Sequence, residues 1–311
     1  MNQKSKYKKS LPSEFLTLID QTQCRCADAP YTYSHSHDSI DTNLLVVLHG
    51  MGDTHHSLHE FARKIQLPQT AILSLDACLV LKGGKGKFVV LPLDVGFTWF
   101  SEHDLSVDAL MRGLAHENSS LLDLPQLSPT SQVRQNSLQV AISSIRHVSL
   151  ALEKEWSTKH IFVFGYSCGA SLAAEAALDR ANRNLSPWGG IVCVAGGVKA
   201  EGRPSNTKRR ADANCTPVLI ISGSDDNIFT PLDVRTASKM YDHMLAESLS
   251  NCSTGKDEES IVRVFCKKSK RHDMIRSREE VEAMMQFFAK RLVRRMMGME
   301  EQGWIQVPLQ K

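Results

Sequence analysis

Apolar residues fall in short, dense runs along this chain. "LLVVLH" (44–49), "AILSL" (71–75), "IFVFG" (161–165), "GIVCVAG" (190–196), "PVLIIS" (217–222) and "IVRVFC" (261–266) are each of strand length and apolar almost throughout. Between them the spacing changes. In "HHSLHEFARKI" (55–65), Leu58, Phe61, Ala62 and Ile65 recur at helical intervals, which predicts an amphipathic helix. "GASLAAEAAL" (169–178) reads as a small-residue helix that starts directly after a strand. "SREEVEAMMQFFAKRLVRRMM" (277–297) is the last helix. Ser277 and Glu280 have the capping-box spacing, and Val281, Met284, Met285, Phe288 and Leu292 form its apolar face. Strands without alternation, separated by helices, predict an α/β fold. Its central sheet is mostly parallel and is covered by helices on both faces.

The remaining stretches carry no such period. Residues 1–40 are polar and irregular, with a flexible tail expected over about 1–12. Irregular segments also interrupt the pattern at about 76–130, 198–214 and 248–259. "KGGKGK" in the first lacks the Ser or Thr and the spacing of a phosphate loop, so a turn is expected. Nothing repeats, and 311 residues suit a single large α/β domain over 1–311.

Composition removes several function classes. A formal charge of +3 argues for no nucleic-acid partner. No apolar run approaches the ~18 residues of a membrane span. "MNQKSKYKKS" has no apolar stretch behind it, so no secretory signal is expected. The eight cysteines are Cys24, Cys26, Cys78, Cys168, Cys193, Cys215, Cys252 and Cys266. In a long chain without a leader they read as free buried thiols in a reducing compartment, and a cytoplasmic location is expected. "CRC" at 24–26 has no second pair at zinc spacing.

The chemistry concentrates at "FVFGYSCGAS", where Gly165, Ser167 and Gly169 make G-x-S-x-G between a strand and a helix. That context is a nucleophile elbow, a strained turn that lifts a serine hydroxyl above the sheet. A serine needs a base, and the base needs a carboxylate to orient it. In this class of fold they follow in the order Ser, acid, His. "PVLIIS" is followed by "GSDDNIFTP", which offers Asp225 and Asp226. "IVRVFC" is followed by "KKSKRHDM", and His272 is the only histidine after His243. An acyl-transfer serine also needs two N–H donors for the oxyanion. One belongs to the residue after it, Cys168. The other is expected in "LHGMGD" (48–53), where Gly50 and Gly52 let the backbone approach substrate and Met51 carries the N–H. The competing reading of this junction is a metal site, since His55 and His59 are four apart with Asp53 and His56 nearby. The serine reading makes these histidines part of the following helix, and neither metal nor cofactor is expected.

These motifs resemble the α/β-hydrolase superfamily, and within it the phospholipase/carboxylesterase branch that includes the acyl-protein thioesterases. The resemblance spans about residues 42–292. "LHGMGD" is similar to the branch's "LHGLGD", with Met51 for leucine. Gly165 to Ala170 match "GFSQGG", with Cys168 for glutamine and Ala170 for the last glycine. Ser222 to Thr230 match "HGxxDxxVP", which assigns the acid to Asp226 and makes Phe229 the apolar partner; Ser222 replaces the histidine. "TWFSEHD" is similar to the branch's "SWFD" loop around Trp99, and Trp99 and Phe100 are expected as walls of an acyl pocket. His272 follows "KSKR" where the branch commonly has a glycine, and the 76–130 segment is longer than usual, an extended loop region at the active site. The resemblance implies a serine hydrolase that cleaves small-molecule or lipid esters or acyl thioesters through an acyl-enzyme on Ser167. The alternative is a binding protein that keeps the fold without catalysis.

Overall fold

Seven strands lie side by side in the order β1-β3-β2-β4-β5-β6-β7. They are β1 (Tyr31–Ser34), β2 (Asn43–Leu48), β3 (Thr70–Leu75), β4 (Ile161–Tyr166), β5 (Gly190–Val194), β6 (Val218–Gly223) and β7 (Val262–Lys267). This computed structural model describes residues 7–20, 30–77, 97–100, 132–199, 215–249 and 262–295. All neighbouring strands are parallel except β1, which pairs antiparallel with β3. The helices are α1 (Ser13–Asp20), α2 (His55–Ile65), α3 (Gln132–Leu152), α4 (Cys168–Asn182), α5 (Pro231–Leu249) and α6 (Arg278–Arg291). None of the described helices is long and apolar enough to cross a membrane.

Both faces of the inner strands β2 to β6 are buried, which is why they read as continuous apolar runs. Side chains alternate between the faces along each strand. Leu44, Val46 and Leu48 of β2 join Leu172, Ala173 and Ala176 of α4, Ile142 and Ile145 of α3, and Ala237 and Tyr241 of α5 in one cluster. Leu45 and Val47 point the other way, into a cluster with Leu58 and Ala62 of α2 and Met284, Phe287 and Phe288 of α6. The sheet is thus the middle of three layers.

Several expectations change in detail. Residues 7–12, assigned to a flexible tail, are held down. The Asp41 N–H donates to the Tyr7 carbonyl at 2.9 Å, Lys9 N–H donates to Asp41 Oδ2 at 2.9 Å, and the Lys9 ammonium lies over the Trp156 ring. α1 and β1 arise in the stretch read as irregular. α6 ends at Arg291, and its buried face is Glu280, Ala283, Met284, Phe287 and Phe288. Val281 is 40% exposed, because the sheet lies one position around from the face the spacing suggested. The Ser277–Glu280 capping box is present. Cys168, Cys193 and Cys215 are buried, whereas Cys266 is exposed, because β7 is an edge strand. Cys24, Cys26, Cys78 and Cys252, with most of 76–130 and of the loops near 198–214 and 248–259, lie outside the described residues.

The strand order fixes where a ligand can sit. From β1 at the edge the chain skips a place to β2, returns to β3 between the two, then crosses to β4 on the far side of β2. β2 and β4 are adjacent, with Leu48 paired to Gly165, so the loops leaving their carboxyl ends diverge. A crevice at such a switch point is where open α/β sheets bind ligands.

Candidate active site

Ser167 occupies that crevice. It is the turn between β4 and α4, with φ 52° and ψ −119°. A serine in the left-handed region is strained, so its surroundings must hold it. Its N–H donates to the Val194 carbonyl at 2.9 Å, and its own carbonyl accepts from Ser171 N–H at 3.0 Å. The elbow also needs its glycines. A Cβ on Gly165 would lie 2.5 Å from the Gly169 carbonyl oxygen, and one on Gly169 would strike the carbonyls of Leu48 and His49. Without those side chains the elbow packs directly against the end of β2. "LHGMGD" therefore sits beside Ser167.

From the other side, Asp226 and His272 reach in from the loops after β6 and β7. His272 Nε2 lies 2.8 Å from Ser167 Oγ. His272 Nδ1 lies 2.9 and 3.0 Å from the two oxygens of Asp226. Asp226 is 3% exposed, and its Oδ1 also accepts from the amides of Ile228 (2.9 Å) and Phe229 (2.8 Å). Asp225 is exposed; it accepts from the Ser224 hydroxyl at 2.7 Å, and its N–H donates to the Lys270 carbonyl. Burial pushes the Asp226 carboxyl up. The bonds from His272, Phe229 and Ile228 outweigh it and hold the group below its ordinary value.

The sign of that shift gives a pH prediction. A carboxyl depressed in the fold stabilises it only while ionised. The contribution is full above the unfolded value of about 3.9 and is lost as pH falls through the lower folded value. Urea unfolding followed between about pH 6 and pH 3 should show the natural chain losing more stability on acidification than Asp226→Asn.

The "LHGMGD" loop is held from beneath by residues whose part the sequence did not reveal. His49 is buried. Its Nδ1 donates to the Gly50 carbonyl at 2.7 Å and its Nε2 accepts from Ala77 N–H at 3.1 Å. Burial lowers its pKa, which suits this neutral tautomer. The Trp99 indole N–H donates to the His49 carbonyl at 2.9 Å, and the two rings lie 5.2 Å apart. Trp99 and Phe100, expected as pocket walls, are 4% and 2% exposed, so little of either ring is left to meet a substrate. Trp99→Ala is expected to cost about 3–5 kcal/mol, read as a large fall in melting temperature. Phe229 is likewise buried, with its ring against Gly197.

Tyr166 was also missed. It lies between Gly165 and Ser167, with its ring against Gly50 and 5.9 Å from the His272 ring, and its hydroxyl donates to the His272 carbonyl at 3.2 Å. Its place in the middle of the G-x-S-x-G motif was the available signal. The helix histidines have protein partners. His55 N–H donates to Asp76 Oδ1 at 2.7 Å, and the His55 ring nitrogen lies 2.8 Å from Asp76 Oδ2 but off the line a hydrogen bond needs. His59 bonds the Ser34 and Ser74 hydroxyls. Among the described residues, no three His, Cys, Asp or Glu side chains gather as metal ligands.

No family model matches the chain. An uncharacterized hydrolase of Mycosarcoma maydis is 27% identical over 235 residues, which is 75% of each chain. Among solved structures, a carboxylesterase of Bacillus cereus superposes with a TM-score of 0.55 at 16% identity, covering 90% of this chain and 100% of its own. Acyl-protein thioesterase 2 of Zea mays gives 0.53 at 18% identity, covering 85% and 99%. The chain therefore has the α/β-hydrolase fold and resembles the phospholipase/carboxylesterase branch of it.

Proposed function

We propose that this protein is a serine hydrolase that cleaves carboxylic esters or acyl thioesters through an acyl-enzyme on Ser167. The observation that carries the reading is the continuous line of hydrogen-bond distances from Ser167 Oγ to His272 at 2.8 Å and from His272 to Asp226 at 2.9 Å. In this reading the serine attacks the substrate carbonyl while His272 Nε2 takes its proton. Asp226 holds the imidazole with its proton on Nδ1 and stabilises the imidazolium that forms. His272 then protonates the leaving alcohol or thiol, and water, activated by the same imidazole, releases the acid.

The oxyanion falls to the amides of Cys168 and Met51. Cys168 is the first residue of α4, where the helix N-terminus favours negative charge. In the first loop the amides of Gly52 and Asp53 are committed to the Phe97 carbonyl (3.0 Å) and the Gly50 carbonyl (3.3 Å), and this reading gives the donor's part to Met51 beside them. Met51 of the first loop, and Ile228 and Leu232 shortly after Asp226, are exposed at 46%, 47% and 66%, which suits an apolar acyl group.

Hydrolysis of p-nitrophenyl esters of rising chain length, with one acyl thioester beside them, tests the reading. Turnover of at least one ester by the purified chain is expected. No turnover of any by folded protein would sink it.

A further inference from the structure

His272 follows "KSKR", and a run of cations is ordinarily a solvated face. Lys270 does not behave that way. Its side chain is 8% exposed, and its ammonium bonds the carboxylate of Glu280, which is 1% exposed in the first turn of α6. The second oxygen of that carboxylate accepts from the amides of Arg276 (3.1 Å) and Ser277 (2.9 Å). One carboxylate thus gathers both ends of the loop 270–276, and His272 lies between them. The Lys270 main chain turns the other way. Its carbonyl accepts from Asp225 N–H at 2.9 Å and lies against Gly223, where a Cβ would strike it. Lys270 therefore ties the acid loop to α6. Burial raises the Glu280 carboxyl, but the bonds from Lys270, Ser277 and Arg276 outweigh that and hold it below its ordinary value.

We propose that the buried Lys270–Glu280 pair is a positioning device for His272, closing the 270–276 loop so that the imidazole reaches Ser167. The inference rests on the role given to His272 above. An ion pair fixes distance and direction where an apolar contact fixes neither. A buried pair gains little net stability over an apolar one, so its effect here lies in geometry. The pair also accounts for the lost glycine: this chain holds its base loop by a tether, not by a tight turn at that point.

Removing one partner leaves the other charge buried alone, and such a chain can fail to fold. The decisive variant is therefore Lys270→Met with Glu280→Gln. It buries no charge, and the glutamine carbonyl still accepts from Arg276 and Ser277; only the tether is lost. The expected result with a p-nitrophenyl ester is a kcat about tenfold to a hundredfold lower, with KM within about twofold and a folded chain. In a His272→Ala background the same double change should alter the residual rate by less than about twofold, because groups that act as a unit are not additive. An unchanged kcat, a loss carried by KM, or an equal loss without His272 would overturn the proposal. The downfield Nδ1 proton resonance of His272 reports its bond to Asp226 without turnover, and it should shift or broaden in the double variant. If it stays unchanged the proposal falls. If the natural chain turns over no ester and yet this resonance responds, the hydrolase reading fails and the positioning inference stands.

Discussion

Ser167→Ala is expected to lower ester hydrolysis by about 10⁴-fold or more, while the protein stays folded. The size follows from the chemistry proposed for this position. Alanine has no hydroxyl to attack the carbonyl, so no acyl-enzyme forms, and only catalysis by the oxyanion donors and by binding is left. Folding should be nearly indifferent. Alanine bears the strain at φ 52° no better and no worse than serine, and the backbone bonds to Val194 and Ser171 do not involve the side chain. The change removes one hydrogen bond to a half-buried imidazole, worth about 1 kcal/mol. Steady-state rates with p-nitrophenyl acetate, set beside a thermal melt, check both halves. A variant that keeps a tenth of the natural rate would mean that Ser167 is not the nucleophile.

The adjacent aspartates give the second large effect. Asp226→Asn preserves shape but offers an amide to His272. Where the amide donates, Nδ1 must accept, and the proton moves to Nε2, the atom that has to take the serine's proton. A loss of about 10⁴-fold in kcat is expected. Asp225→Asn should stay within about tenfold. Its carboxylate is exposed and, among the described residues, engages only the neighbouring Ser224 hydroxyl, while the bond that orders the loop runs from its backbone N–H to Lys270. If Asp225→Asn is the crippled variant, the assignment of the acid is off by one.

The parts of the molecule that were legible in the sequence are those governed by local pattern. Five of the seven strands, β2 to β6, are buried almost throughout and announce themselves as apolar runs, and β7 reads as one although only Val262 of it is buried. β1, "YTYS", is half-exposed throughout, so it carries no apolar signal. α1 buries only Phe15 and Ile19, too little to stand out in a polar stretch. The α/β architecture was legible because its sheet is covered twice. The candidate site was legible at Ser167, whose turn demands glycines on both sides, and at Asp226 and His272 through their places after β6 and β7. What stayed hidden are pairings across distance. Trp99 meets His49 fifty positions away, and nothing in either segment names the other. Lys270 looks like one cation in a solvated run; only the fold turns it inward onto Glu280. The helix histidines His55 and His59 invited a metal, yet Asp76, Ser34 and Ser74 surround them.

The central claim is that Ser167 is a nucleophile activated by His272. A fluorophosphonate tests it most directly, because the reagent phosphonylates an activated serine and needs no knowledge of the natural substrate. Incubation of the natural chain followed by peptide mass spectrometry should find a single adduct, on Ser167, formed far more slowly in His272→Ala. Folded protein that takes no label at Ser167, or takes it equally fast without His272, would contradict the account and leave a fold kept for binding alone.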